Sequence, residues 1–126
     1  METLDILKIA ARALDSKKAI DLEAIKIGDL TIITDFFLLA TATSSTHVRA
    51  LADEVEEMLS RAGVEPNHIE GKATGWILLD YGSVVVHVFD RKSREFYQLE
   101  RLWNDGENYD LSGMLADDAA EQTDNH

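Results

Sequence analysis

The alternation of two hydrophobic periodicities predicts an α/β (α+β) fold, with a five-stranded sheet covered by helices in a single domain. Apolar residues recur every three or four positions in three segments, which indicates amphipathic helices. Between these segments lie short apolar runs bounded by Gly, Pro or polar residues, which are typical of strands. The 126 residues suffice for one core, and no repeat or linker divides them.

The three helical segments have different boundary signals. Residues 3–18 place Leu and Ala side chains on one stripe and charged side chains on the other. The hydroxyl residues at 43–46 can cap a second helix, which we expect to end near Ala62 because Gly63 is a common helix stop. A third apolar stripe predicts a last helix from Arg91 to Trp103.

Five segments indicate strands, namely 21–27, 36–40, 67–70, 76–81 and 84–90. The run FFLLA at 36–40 is continuously apolar, so we expect a central strand that is buried on both faces. Pro66 opens the short third strand. Gly82 and Ser83 form a two-residue loop with glycine first, which predicts a β-hairpin between the last two strands.

The first strand of this hairpin offers a candidate contact surface. Residues two apart share a face of a strand, so Trp76, Leu78 and Asp80 point one way, while Ile77 and Leu79 point the other way with Tyr81. If the second set is core, the first set presents a tryptophan, a leucine and a carboxylate, and aromatic residues often anchor interfaces. The alternative is that Trp76 only covers the core beneath the last helix.

The charge distribution limits the kinds of partner. The net charge is −12, and residues 104–126 carry seven acidic residues and no Lys or Arg. Little direct binding of RNA or DNA is expected, because such binding depends on basic residues that neutralise phosphates. A basic protein partner is easier to justify, although the charge also serves solubility alone. We interpret residues 104–126 as an acidic, disordered tail.

Signals for catalysis are weak. The chain has no cysteine, which excludes disulfides and thiolate metal sites, and it has no phosphate-loop or paired metal-binding carboxylate motif. The hydroxyl residues at 43–46 could expose a helix N-terminus to an anion, although ordinary capping explains them as well. His47, His68 and His87 have no metal-ligand spacing, and we interpret His87 as a sheet residue. No cofactor, metal or membrane contact is predicted, and Glu2 and Asp5 argue against a targeting signal, so the expected location is cytoplasmic.

Three segments together resemble the ribosomal silencing factor, or Iojap, family. They are TDFFLLATATSSTHVRALADEVEEML (34–59), HIEGKATGWILLDYGSVVVHVF (68–89) and REFYQLERLW (94–103). The resemblance extends from about residue 4 to residue 103, so we expect one family domain over 1–103. It departs from the family pattern at Ala42, Thr46 and Ser83.

The resemblance implies a fold related to nucleotidyltransferases, with a mixed sheet and without the catalytic carboxylates of that superfamily. It implies that the protein is not an enzyme but binds the large ribosomal subunit through ribosomal protein L-fourteen. By occupying that site it would block joining of the small subunit and repress translation when nutrients are scarce. The partner-binding residues carried over are Trp76, Leu78, Asp80 and Tyr81.

Two other hypotheses remain open at this point. One is a nucleotide- or phosphate-binding, nucleotidyltransferase-like enzyme centred on residues 43–46. The other is a scaffold that uses the strand at 76–81 to form a homodimer when it is free. The first predicts binding of ATP with Mg²⁺, and the second predicts self-association that depends on Trp76.

Overall fold

The structure, a computed structural model, describes residues 1–28, 34–71, 75–97 and 107–115, without the side chains of 96 and 97. The helices are α1 (Thr3–Ser16), α2 (Ser45–Arg61) and α3 (Arg91–Tyr97). The strands are β1 (Ile20–Lys26), β2 (Phe36–Ala42), β3 (His68–Glu70), β4 (Trp76–Asp80), β5 (Val84–Asp90) and β6 (Glu107–Tyr109). No helix among the described residues is long and apolar enough to cross a membrane.

The described strands form one mixed sheet in the order β3-β4-β5-β2-β1-β6. Among these six described strands, β2 and β5 are parallel and the other neighbouring pairs are antiparallel. A parallel pair needs a long crossover between its strands, and α2 lies within that connection. The predicted mixed α/β architecture is confirmed.

The two faces of the sheet have different environments. On the first face, α1 and α2 pack together and cover the main core, which includes Leu7, Leu38 and Val86, all fully buried. The second face carries a smaller apolar cluster, made of Ile25, Ile27, Leu39 and Phe89, with Phe37 and Trp76 packed against it. The large first-face core is the main source of hydrophobic stabilisation, because that term scales with the apolar area buried.

Strand β2 has the central position that the FFLLA run predicts. It lies between β5 and β1, and its residues from Leu38 to Ala42 are all buried. Continuous apolar sequence in β2 therefore reflects cover on both sides, from the first-face core at Leu38 and from the second-face cluster at Leu39.

The sheet has six described strands where the sequence predicts five, because part of the segment interpreted as a disordered tail joins it. β6 pairs with the outer edge of β1, matching Tyr109 to Ala24 and Glu107 to Lys26. The Tyr109 ring meets Phe36 edge to face at 5.2 Å, and Leu111 is only 7% exposed. Acidic, aperiodic sequence thus pairs because β1 offers unsatisfied backbone groups and an apolar edge. Residues 104–106 and 116–126 lie outside the described residues.

The last helix begins at Arg91 as predicted, and the part of that prediction covering 98–103 lies outside the described residues. Arg94 attaches α3 to the sheet, where its guanidinium donates to the Asp21 carbonyl at 2.6 Å and to Thr41 Oγ1 at 2.8 Å. It also forms an ion pair with Glu23 at 3.0 Å, with only 11% of the Arg94 side chain exposed. These bonds hold α3 over one end of the second face.

Candidate functional site

The alternation predicted for β4 is present in the structure. Ile77 and Leu79 are 2% and 0% exposed and belong to the first-face core, while Trp76, Leu78 and Asp80 are half-buried on the second face. We call these last three residues the β4 surface. Because β4 has only the three-residue strand β3 between it and the edge of the sheet, this surface lies near a sheet edge.

Tyr81 lies with the core and not with the β4 surface. It is 7% exposed, and its hydroxyl group has no hydrogen-bond partner among the described residues. Burial raises the pKa of this hydroxyl above its ordinary value, and the nearby charges of Glu56 and Glu65 raise it further. Its role in partner binding, implied by the resemblance, remains a prediction, and the structure gives its ring a packing role.

Asp80 has a structural role in the hairpin turn as well as a place on the β4 surface. Its Oδ1 accepts a hydrogen bond from Gly82 N–H at 2.8 Å, and Gly82 has φ +84°, a conformation that favours glycine. Its Oδ2 lies 3.4 Å from Nδ1 of His68 on β3, with 25% of the Asp80 side chain exposed. The Asp80 carboxylate therefore stabilises the turn and still presents negative charge at the surface.

The indole of Trp76 is hydrogen-bonded to a histidine on β5. The indole Nε1–H of Trp76 donates to His87 Nδ1 at 3.1 Å. His87 is only 4% exposed, and its ring meets Phe37 edge to face at 4.9 Å and stacks on Phe89 at 5.9 Å. Burial lowers the pKa of His87 from 6.5 to about 4, so the imidazole is neutral at pH 7.

The interpretation of His87 as a sheet residue is confirmed, since it lies on β5, but its two ring nitrogens have different surroundings. Nδ1 has the Trp76 partner, whereas Nε2 is buried without one among the described residues. The contact between Trp76 and His87 could have been predicted from the two-residue loop, because the loop length sets the register of the hairpin. This register pairs Leu78 with His87 and Trp76 with Phe89, which places Trp76 diagonal to His87 on one face.

The hydroxyl residues at 43–46 form an ordinary helix cap. The side chain of Ser44 accepts a hydrogen bond from His47 N–H at 3.1 Å, which is the capping geometry. His47 Nδ1 accepts from Thr43 N–H at 2.9 Å, and its Nε2–H donates to the Lys17 carbonyl at 2.7 Å. His47 thus joins the end of α1 to the start of α2, a structural role that its spacing did not reveal.

The described residues offer no group of three or more His, Asp or Glu side chains arranged to hold a metal ion. Acidic side chains instead line a shallow surface groove along α2, at Asp53, Glu56, Glu57 and Glu65. The functional feature that geometry supports best is the β4 surface: an indole fixed by a buried histidine, beside a leucine and a carboxylate.

This fold and this surface define a mixed α/β domain that presents a half-buried tryptophan, a leucine and a carboxylate on one face of its sheet as a candidate contact surface. A family model described as ribosomal silencing factor during starvation matches residues 1–126. The chain belongs to this family.

Individual relatives agree with that assignment. A curated relative from Halalkalibacterium halodurans, named ribosomal silencing factor RsfS, is 36% identical over 117 residues, covering 92% of this chain and all of the relative. A mouse protein named mitochondrial assembly of ribosomal large subunit protein 1 is 32% identical over 71% of this chain and 41% of its own length. A crystal structure of a protein from Chromobacterium violaceum has a TM-score of 0.80 and 37% identity, covering 82% of this chain and 88% of that one. The predicted relation to nucleotidyltransferases remains a prediction.

Proposed function

We propose that this protein binds the large ribosomal subunit through its β4 surface, contacts ribosomal protein L-fourteen there, and represses translation by blocking subunit joining. Family membership supports the ribosomal role. The observation that carries the choice of surface is the half-buried Trp76, held by His87 on the outward face of β4. Large, pre-oriented aromatic side chains are the usual anchors of protein interfaces.

The mechanism we propose is occupancy. Trp76 and Leu78 supply apolar area that a partner desolvates, while Asp80 and the net charge of −12 attract a basic partner. The function needs no bond to be made or broken, and the helix cap at Ser44 gives no reason to prefer a phosphate-binding enzyme. This action would take place in the cytoplasm, where ribosomal subunits join.

Removing the indole should weaken binding to the large subunit. We expect Trp76→Ala to raise the dissociation constant about 10- to 30-fold, as the loss of an interface anchor typically does. The measurement is co-sedimentation with purified large and small subunits on sucrose gradients. The control is Leu4→Ala, which truncates an exposed hydrophobic residue (47% exposed) on α1.

If Trp76→Ala sediments with large subunits as the parent protein does, the β4 surface is not the contact. Light scattering of the free protein adds the homodimer comparison. A dimer that dissociates in Trp76→Ala, with ribosome binding unchanged, would assign the surface to self-association.

The charge of Asp80 should act mainly on the rate of association. Asp80→Asn retains an acceptor for Gly82 N–H and removes the charge, so the turn survives while electrostatic steering weakens. We expect association with large subunits to slow about two- to threefold at low salt and the difference to shrink as salt is added. Surface plasmon resonance at several salt concentrations measures this effect, and an unchanged salt slope would remove Asp80 from a steering role.

A further inference from the structure

The hydrogen bond between Trp76 and His87 determines the chemical state of both rings. Because Nδ1 of His87 accepts the indole proton at 3.1 Å, it must carry a lone pair, and the proton of the neutral imidazole lies on Nε2. A protonated imidazole would present N–H toward N–H and lose the bond. The bond therefore depends on a histidine that remains neutral.

The surroundings of His87 keep it neutral and immobile. Its ring lies between Phe37 and Phe89, is 4% exposed, and faces Leu78 across the hairpin. No charged side chain lies among these contacts, and burial in apolar surroundings disfavours the charged form. An acceptor with a fixed position and direction results, at the N–H edge of the half-buried indole.

Packing alone does not explain a histidine at this position. Its buried Nε2–H has no acceptor in the part of the chain that the structure describes, and an unsatisfied buried donor is destabilising. Phenylalanine would fill a similar volume among the same aromatic rings without that cost. What histidine provides and phenylalanine cannot is the acceptor at Nδ1.

We propose that His87 is a positioning residue, which fixes the indole of Trp76 in the orientation that the β4 surface presents to a partner. The inference rests on the proposed function for its binding consequence only. The indole also stacks on Phe89 at 5.3 Å between ring centroids, a contact that lacks the direction of a hydrogen bond. Without the acceptor the indole can rotate more freely over that ring, and ordering it again on binding costs affinity.

Two substitutions separate positioning from packing. His87→Phe removes the acceptor and the unsatisfied donor together, so we expect a melting temperature equal to or above that of the parent but about three- to tenfold weaker binding to large subunits. His87→Asn keeps an oxygen near the position of Nδ1 but leaves a cavity, so it should melt lower and bind closer to the parent. In a Trp76→Phe background, His87→Phe should cause no further loss of binding.

A structural role alone would make binding follow stability in both variants. Two results would overturn the proposal. The first is that His87→Phe binds large subunits as the parent does, and the second is that His87→Phe weakens binding equally with and without Trp76.

A second readout does not need the ribosome. In a Trp103→Phe background Trp76 is the one remaining tryptophan, so its indole N–H gives a single NMR resonance. We expect its hydrogen exchange to accelerate about tenfold in His87→Phe and much less in His87→Asn. Unchanged exchange would refute the positioning role. If exchange accelerates in His87→Phe while the parent protein itself does not sediment with large subunits, the proposed function is refuted and His87 remains the residue that holds Trp76.

Discussion

Ending the chain after residue 106 should lower the free energy of unfolding by about 3 to 5 kcal/mol. This truncation removes β6, whose backbone bonds satisfy the outer edge of β1. It also removes the Tyr109 ring from Phe36 and exposes the apolar contacts of Leu111, which is 7% exposed. A further bond is lost at Arg12, whose Nε donates to the Met114 carbonyl at 3.1 Å. Urea denaturation followed by circular dichroism measures the difference.

The control is a chain that ends after residue 115, which is also shortened but retains β6 and Leu111. Because this control keeps the strand pairing, we expect its free energy of unfolding to exceed that of the shorter chain by most of the stated difference of about 3 to 5 kcal/mol. Equal stability of the two truncated chains would mean that β6 adds nothing to the fold. It would also support residue 103 as the end of the folded domain.

Acid should destabilise the parent protein more than His87→Phe. The folded protein holds His87 at a pKa of about 4, against 6.5 for an ordinary histidine, so between these pH values the unfolded chain binds a proton that the folded one does not. Stability is therefore lost as pH falls from 6.5 to 4, by an amount of about 3 kcal/mol for this shift.

The comparison with His87→Phe isolates this contribution, because the two proteins differ only at this residue. Urea denaturation at about pH 7, 6, 5 and 4 spans the titration of His87. The free energies of unfolding of the parent and of His87→Phe should diverge as pH falls. Parallel curves would show that His87 titrates normally in the folded protein. They would also contradict its burial among Phe37 and Phe89.

Local patterns predicted the elements whose formation depends on neighbouring residues. The apolar run at 36–40 identified the central strand because burial on both faces requires continuous hydrophobicity. Alternation along β4 identified Ile77 and Leu79 as core because side chains of a strand point to opposite faces in turn. Ser44 was predictable as a cap for a similar reason, since it bonds within its own helix turn.

Contacts between distant segments had no comparable signal. β6 is three residues long and polar, and it becomes a strand because β1 has an open edge beside it. His47 bonds to Lys17, which lies 30 positions earlier in the chain, and no local pattern relates the two. Arg94 likewise reaches Asp21 across 73 positions.

The candidate site also has features that local sequence determines and features that only the fold determines. Periodicity and family resemblance placed Trp76, Leu78 and Asp80 on one face of a hairpin, because side-chain direction in a strand is a local property. Periodicity also placed Tyr81 with Ile77 and Leu79, against the role that the resemblance implies, and Tyr81 is buried. That the indole is bonded to His87 and that Asp80 also stabilises its own turn were established only by the packed sheet. Burial and hydrogen-bond partners depend on which strands lie side by side, and this pairing is a property of the whole fold.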